Sequence, residues 1–199
     1  PAELQIIKSM TDIISHRGPD GDGYLVEQSL ALGHRRLAIL DLSEHGRQPM
    51  DYGNSGLTLT FNGEIYNYIE LRQELAECGY TFVSDTDSEV ILAAYDRWGM
   101  ECVQRFNGMW ALAILDRRRN LIFLSRDRFG VKPLYYIETD DVFAFGSEIR
   151  QLLPFLPSRK ANLDVLRTYL VTDAAELNDQ TFFAGIRRLP GGYSGVYDL

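Results

Sequence analysis

Leu57-Thr58-Leu59-Thr60-Phe61-Asn62-Gly63-Glu64-Ile65-Tyr66-Asn67 is the stretch on which the fold turns. From Leu57 to Phe61 apolar and polar residues alternate, the period of a strand with one buried face. Asn-Gly after such a run is first a hairpin signal. The segment after Gly63, however, reads as a short connection into a capped helix rather than a return strand. Asn67 with Glu70 has the form of a capping box carried by Asn, and Leu71, Leu75 and Cys78 share one face until Gly79 ends the helix. Thr86 with Glu89 repeats the device, and Ile91, Ala94, Tyr95 and Trp98 form a second buried stripe before Gly99.

Outward from this centre, strands and helices mix without strict βαβ alternation. On the N-terminal side Leu4, Ile7, Met10, Ile13 and Ile14 recur at helical spacing, which predicts a helix over 3–15. The breakers Arg17-Gly18-Pro19-Asp20-Gly21 form a loop, and strands are expected over 24–27 and 30–40. On the C-terminal side strand-like runs cover 109–116, 121–125, 134–138 and 142–146. Pro154 and Pro157 bracket a loop, 162–170 reads as a helix, and Pro190-Gly191-Gly192-Tyr193 turns into a last strand. No repeat, low-complexity segment or internal linker interrupts the chain. One α+β domain over residues 1–199 is the expectation.

Composition narrows the function classes. The 199 residues carry 20 Lys+Arg against 28 Asp+Glu, a net charge of −8, which argues against a nucleic-acid partner. The longest uninterrupted apolar run, Met109 to Leu115, is seven residues, where a membrane helix needs about 20. Two cysteines cannot build a disulfide framework, which fits a reducing, cytoplasmic setting. The opening Pro-Ala-Glu-Leu-Gln lacks both a start Met and the plan of a signal peptide, so natural residues are expected upstream of Pro1. No P-loop, dinucleotide fingerprint, C-x-x-C or H-E-x-x-H appears, and no metal site is expected. Asp85-Thr86-Asp87-Ser88-Glu89 imitates the start of a calcium loop, but Val90 stands where glycine is required and Asp96 at the twelfth position.

Three short segments place polar groups where chemistry needs them. In Gly33-His34-Arg35-Arg36-Leu37-Ala38-Ile39 the two arginines point to opposite faces of a strand, and an inward guanidinium suits a carboxylate; a solvated surface pair is the plainer alternative. In Asn62-Gly63 a side-chain amide beside a glycine N–H offers two donors in a small space, as an oxyanion requires. Asp87 opens a helix, where the dipole alone favours it. Cys78 and Cys102 read as small apolar residues rather than nucleophiles.

His16-Arg17-Gly18-Pro19-Asp20-Gly21, Phe61–Asn67, Ser84–Ile91, Arg126–Tyr136 and Gly146-Ser147-Glu148-Ile149 together resemble the glutaminase domain of asparagine synthetase. That family is a class II glutamine amidotransferase of the N-terminal-nucleophile (Ntn) hydrolases. Five motifs in the family's order are far more specific than any one pattern. The resemblance implies a four-layer αββα sandwich of two antiparallel sheets between helices. It implies that Arg36 clamps the glutamine α-carboxylate in a pocket lined by the backbone of Leu37, Ile39 and Leu40. Asn62 and Gly63 would form the oxyanion hole, and Glu64 and Asp87 would receive the α-ammonium group. It further implies a synthetase domain beyond Leu199 carrying the ATP and Mg²⁺ sites, with ammonia passing to aspartate; a homodimer is left open. Arg126–Gly130 and Ser147-Glu148 would lie toward that domain, unless they are a plain turn and a helix cap.

One family element falls outside the chain. The family's nucleophile is an N-terminal Cys acting with its own α-amine, on a strand that would precede Pro1. Without it, the chain as written is expected to be inactive. Two other readings compete: a non-catalytic scaffold domain, as in β-lactam-forming relatives, and an amidotransferase for a different acceptor.

Overall fold

The computed structural model describes residues 4–38, 43–174 and 178–199. Helix α1 (Leu4–Asp12) and a 3₁₀ turn (Ser15–Arg17) precede the hairpin β1 (Gly21–Glu27) and β2 (Leu30–Arg36). Strand β3 (Met50–Asp51) leads to β4 (Leu57–Ile65), α2 (Tyr68–Glu77), α3 (Asp87–Trp98) and a 3₁₀ stretch (Gly99–Arg105). Next come β5 (Gly108–Asp116), β6 (Leu121–Arg126), β7 (Tyr135–Glu138), β8 (Phe143–Gly146), α4 (Ile149–Leu152), α5 (Leu163–Thr172), β9 (Arg187–Arg188) and β10 (Ser194–Asp198).

The strands form a five-stranded sheet in the order β10-β6-β5-β4-β3, a three-stranded sheet β8-β7-β9 and the β1-β2 ribbon; every pairing is antiparallel. Alternation along the central strands makes the layers. Leu57, Leu59, Phe61, Leu112, Ile114 and Phe123 face α2 and α3, while Ala111, Ala113, Leu115, Ile122 and Leu124 face the smaller sheets. The far side of those sheets is covered by Ile7 and Met10 of α1 and Leu152 of α4, packed with Ile137 and Ala144. Helices, sheet, sheet, helices is the expected αββα order, with the second sheet layer supplied jointly by β1-β2 and β8-β7-β9.

Several boundaries depart from the sequence reading. Strand β4 does not end at Phe61 but runs through Asn62-Gly63-Glu64 to Ile65, pairing with β5 throughout. Strand β2 stops at Arg36 rather than continuing to residue 40; residues 39–42 lie outside the described ones. The Asn67 cap is not made. Its side chain donates to Arg105 O at 3.0 Å and accepts from Asn107 N–H at 2.8 Å, fastening α2 to the segment before β5. The Thr86 cap is half made: Thr86 Oγ1 accepts from Glu89 N–H, but the Glu89 carboxylate turns to Val83 and Ser84 N–H instead. Helix α3 is buried on every side from Asp87 to Tyr95, not along one stripe.

Arg126 donates to Lys132 O, Leu189 O and Gly130 O, and Asp127 accepts from the N–H groups of Trp110, Phe129, Val131 and Lys132. That motif is thus a self-braced turn, with Phe129 at its exposed tip. Glu148 caps α4 in a full capping box with Gln151 and also pairs with His16, Arg17 and Arg150.

Candidate active site

A cavity of about 720 Å³ runs through the second sheet layer between β2 and β8. Consecutive residues border it, Ser29 to Ala38 on one side and Asp141 to Ser147 on the other. Residues of both parities line it, so strand edges as well as faces look into it. Among the described residues those edges carry no sheet partner: β2 pairs only with β1, and β8 only with β7. Its floor crosses the large sheet from Tyr197 on β10 through Ile122 and Ala113 to Asn62 and Gly63 on β4.

The β4 edge is where polar groups gather. The backbone groups of Leu57 and Leu59 serve Tyr52 and β3, so those of Phe61, Gly63 and Ile65 point the same way, off the β5 ladder. Phe61 N–H donates to Gln48 Oε1 at 2.6 Å, and Phe61 O faces His34 Nε2 at 3.2 Å. Ile65 N–H donates to Asp87 Oδ2 at 2.9 Å. Between them Gly63 N–H faces the cavity, because Trp110, opposite Gly63, turns its own N–H and C=O to Asp127. The side chain of Asn62 projects from the face opposite Phe61, toward the second layer, and its Nδ2 is buried without a hydrogen-bond partner. A buried, unsatisfied amide donor costs about 1–3 kcal/mol and marks a place where a ligand atom belongs.

Arg36, Leu37, Glu64 and Asp87 line the same cavity; Ile39 and Leu40 lie outside the described residues. The two arginines do part company. Arg35 is taken by α1, pairing with Asp12 and donating to Thr11 O at 3.2 Å. Asp20 holds the segment after Arg36, its Oδ2 accepting from Ala38 N–H at 2.9 Å. Burial pushes the Asp87 carboxyl up to about 6, against the pull of the Ile65 and Ser88 N–H groups, with the Glu64 charge adding to the rise. His34 is pushed down to about 4 by burial, so it is neutral at pH 7 and carries its proton on Nε2, toward Phe61 O.

Gln48 and His34 were not candidates from sequence. His34 reads in the sequence as a structural or solvated histidine, and nothing near Gln48 signals that it meets residue 61. Neither cysteine borders the cavity. Cys102 is fully buried, which raises its thiol to about 12, and Cys78 lies at the exposed end of α2. Among the described residues no cluster of His, Cys, Asp and Glu could hold a metal ion, and no helix is long and apolar enough to cross a membrane.

Two antiparallel sheet layers between helices, with a cavity in the second sheet layer, make up the architecture. A solved structure of glutamine phosphoribosylpyrophosphate amidotransferase from B. subtilis shares that fold at a TM-score of 0.65 and 22% identity, covering 74% of this chain and 40% of that one. The sequence profile of the glutamine amidotransferase domain matches residues 1–198, and the chain belongs to that family. Asparagine synthetase [glutamine-hydrolyzing] 3 of Bacillus subtilis is 42% identical over 197 residues, 98% of this chain and 30% of that protein. Putative asparagine synthetase [glutamine-hydrolyzing] 2 of Methanocaldococcus jannaschii is 44% identical over 165 residues, 74% of this chain and 32% of that protein. The chain therefore spans about a third or less of the length of these relatives.

Proposed function

We propose that this domain hydrolyses glutamine to glutamate and ammonia, and that the ammonia serves an ATP- and Mg²⁺-dependent synthetase domain of the same polypeptide that amidates aspartate. The observation that carries the reading is the unpartnered Asn62 Nδ2 beside the outward Gly63 N–H, at the end of a cavity bordered by two open strand edges. Two such donors suit the oxygen of a tetrahedral intermediate. Arg36 at one wall, with Glu64 and Asp87 near β4, complements an amino acid's carboxylate and ammonium groups. A strand added between β2 and β8 would join the ribbon and the three-stranded sheet into one. We assign that place to a strand whose first residue is a cysteine.

In this mechanism the free α-amine takes the thiol proton, and the thiolate attacks the side-chain amide carbon of glutamine. Asn62 Nδ2–H and Gly63 N–H hold the oxyanion. Collapse breaks the C–N bond, the amine returns its proton, and ammonia leaves. Water then adds to the thioester through a second oxyanion at the same donors and releases glutamate and the thiol. A cytoplasmic setting belongs to the same reading.

A glutaminase assay on the full-length protein, with its mature N-terminus established by intact mass, tests the proposal. Glutamate production with an N-terminal Cys is expected, together with its loss on Cys→Ala. A full-length protein that binds glutamine but releases no glutamate would leave a scaffold domain instead.

A further inference from the structure

We propose that Gln48 is a positioning residue for the oxyanion-binding pair, acting through the backbone of Phe61; the inference rests on the role given above to Asn62 and Gly63. The β3–β4 ladder pairs Met50 with Leu59 and Asp51 with Thr58. Continued two residues further, that register would set Gln48 opposite Phe61. The ladder stops short of that pair: β3 begins only at Met50, and Phe61 N–H meets the side chain of Gln48 rather than its backbone. Without that side chain Phe61 N–H would be a buried donor at the edge of the sheet, one residue before Asn62.

The side chain of Gln48 takes the place of the missing strand. Its Oε1 accepts from Phe61 N–H at 2.6 Å, and its Nε2 donates to Ser88 Oγ at 3.2 Å. Gln48 is 7% exposed and Ser88 4%, so water does not compete for these bonds. Ser88 comes directly after Asp87 in the first turn of α3. One carboxamide therefore ties the strand carrying Asn62 and Gly63 to the helix carrying Asp87. The Gln48 backbone is itself wedged, since Gly23 lies against its carbonyl with no room for a Cβ. His34 completes the clasp from β2 at Phe61 O. Both polar groups of Phe61 are thus fixed by side chains from separate segments, and the next residue, Asn62, is the one whose amide must meet a developing charge.

Gln48 also lines the cavity, and its bonds to Phe61 N–H and Ser88 Oγ hold the carboxamide between β4 and α3. Its effect is to set the position of the donors, and a displacement of about 1 Å at a catalytic group can cost on the order of a hundredfold in rate.

The test uses the full-length protein and its Gln48→Met, Gln48→Glu and Ser88→Ala variants. Gln48→Met keeps the bulk and removes both hydrogen bonds. It is expected to lower glutaminase kcat at least tenfold, while the glutamine KM changes less than threefold. Amide exchange over residues 58–65 should accelerate in parallel. Gln48→Glu keeps an acceptor for Phe61 N–H and should restore kcat to within threefold of wild type, and Ser88→Ala should fall between. Unchanged kcat and exchange in Gln48→Met would overturn the assignment to Gln48 alone. A kcat loss that Gln48→Glu does not relieve would overturn it too, since it would track packing rather than the acceptor. A wild-type protein releasing no glutamate would overturn the role of Asn62 and Gly63 and this inference with it.

Discussion

Asn62 Nδ2 sits buried with nothing to donate to, and the energetic case for the site begins there. Asn62→Ala should lower kcat in the full-length protein by about 10²–10³, the usual cost of one oxyanion donor; an unchanged kcat would remove that role. Arg36 and Arg35 make a paired test. Arg36→Ala should raise the glutamine KM with little change in kcat, whereas Arg35→Ala, which breaks a contact to α1, should leave KM where it was. Asp87 gives a pH-dependent prediction. Its carboxyl is raised from 3.8 to about 6 in the folded protein. The folded state therefore holds the proton more tightly between those values, and stability is lost as pH rises through that window. Asp87→Asn should stabilise the protein at pH 8 by up to about 3 kcal/mol, with the gain fading toward pH 4, while weakening glutamine binding. Thermal melts from pH 4 to 8 check the sign; a gain that grows on acidification would contradict it. His34 slopes the other way, since a histidine lowered to about 4 favours folding as pH rises from 4 to 6.5.

At the scale of elements, β4 and α3 set the site. The alternation over Leu57–Phe61 was legible, as were the Thr86 cap and the helix ends at Gly79 and Gly99, both of which have positive φ. The continuation of β4 through Asn62-Gly63-Glu64 was not. Those residues carry no strand pattern, and they are held extended by the ladder to β5 and by side chains from residues 34, 48 and 87, contacts distant in sequence. Asn67 misled for the same reason, because residues near 105 claim the amide that a local reading assigns to the cap. The two-residue strands β3 and β9 are too short for any periodicity. Gly63 belongs to this scale as well. A Cβ there would collide with Met109 O and crowd Trp110 in the adjacent strand, so Gly63→Ala should cost stability as well as activity. A Gly63→Ala protein with wild-type melting would show that β4 and β5 leave room for a methyl group at this position. Thr86→Ala should cost about 1 kcal/mol through the lost cap, read as a lower denaturation midpoint.

Over the whole molecule, the census of strands and helices gives α+β; the four-layer order and the roles expected of Arg36, Glu64 and Asp87 come from the five-motif resemblance. The slot between β2 and β8 is invisible in the sequence, being made by two edges that go unpaired among the described residues. It gives the fold its most direct test. A crystal structure of the full-length protein should show a strand hydrogen-bonded to both β2 and β8, with its first residue, a cysteine, within reach of Asn62 Nδ2 and Gly63 N–H. A slot left open, or filled by a segment whose N-terminus lies elsewhere, would contradict the account.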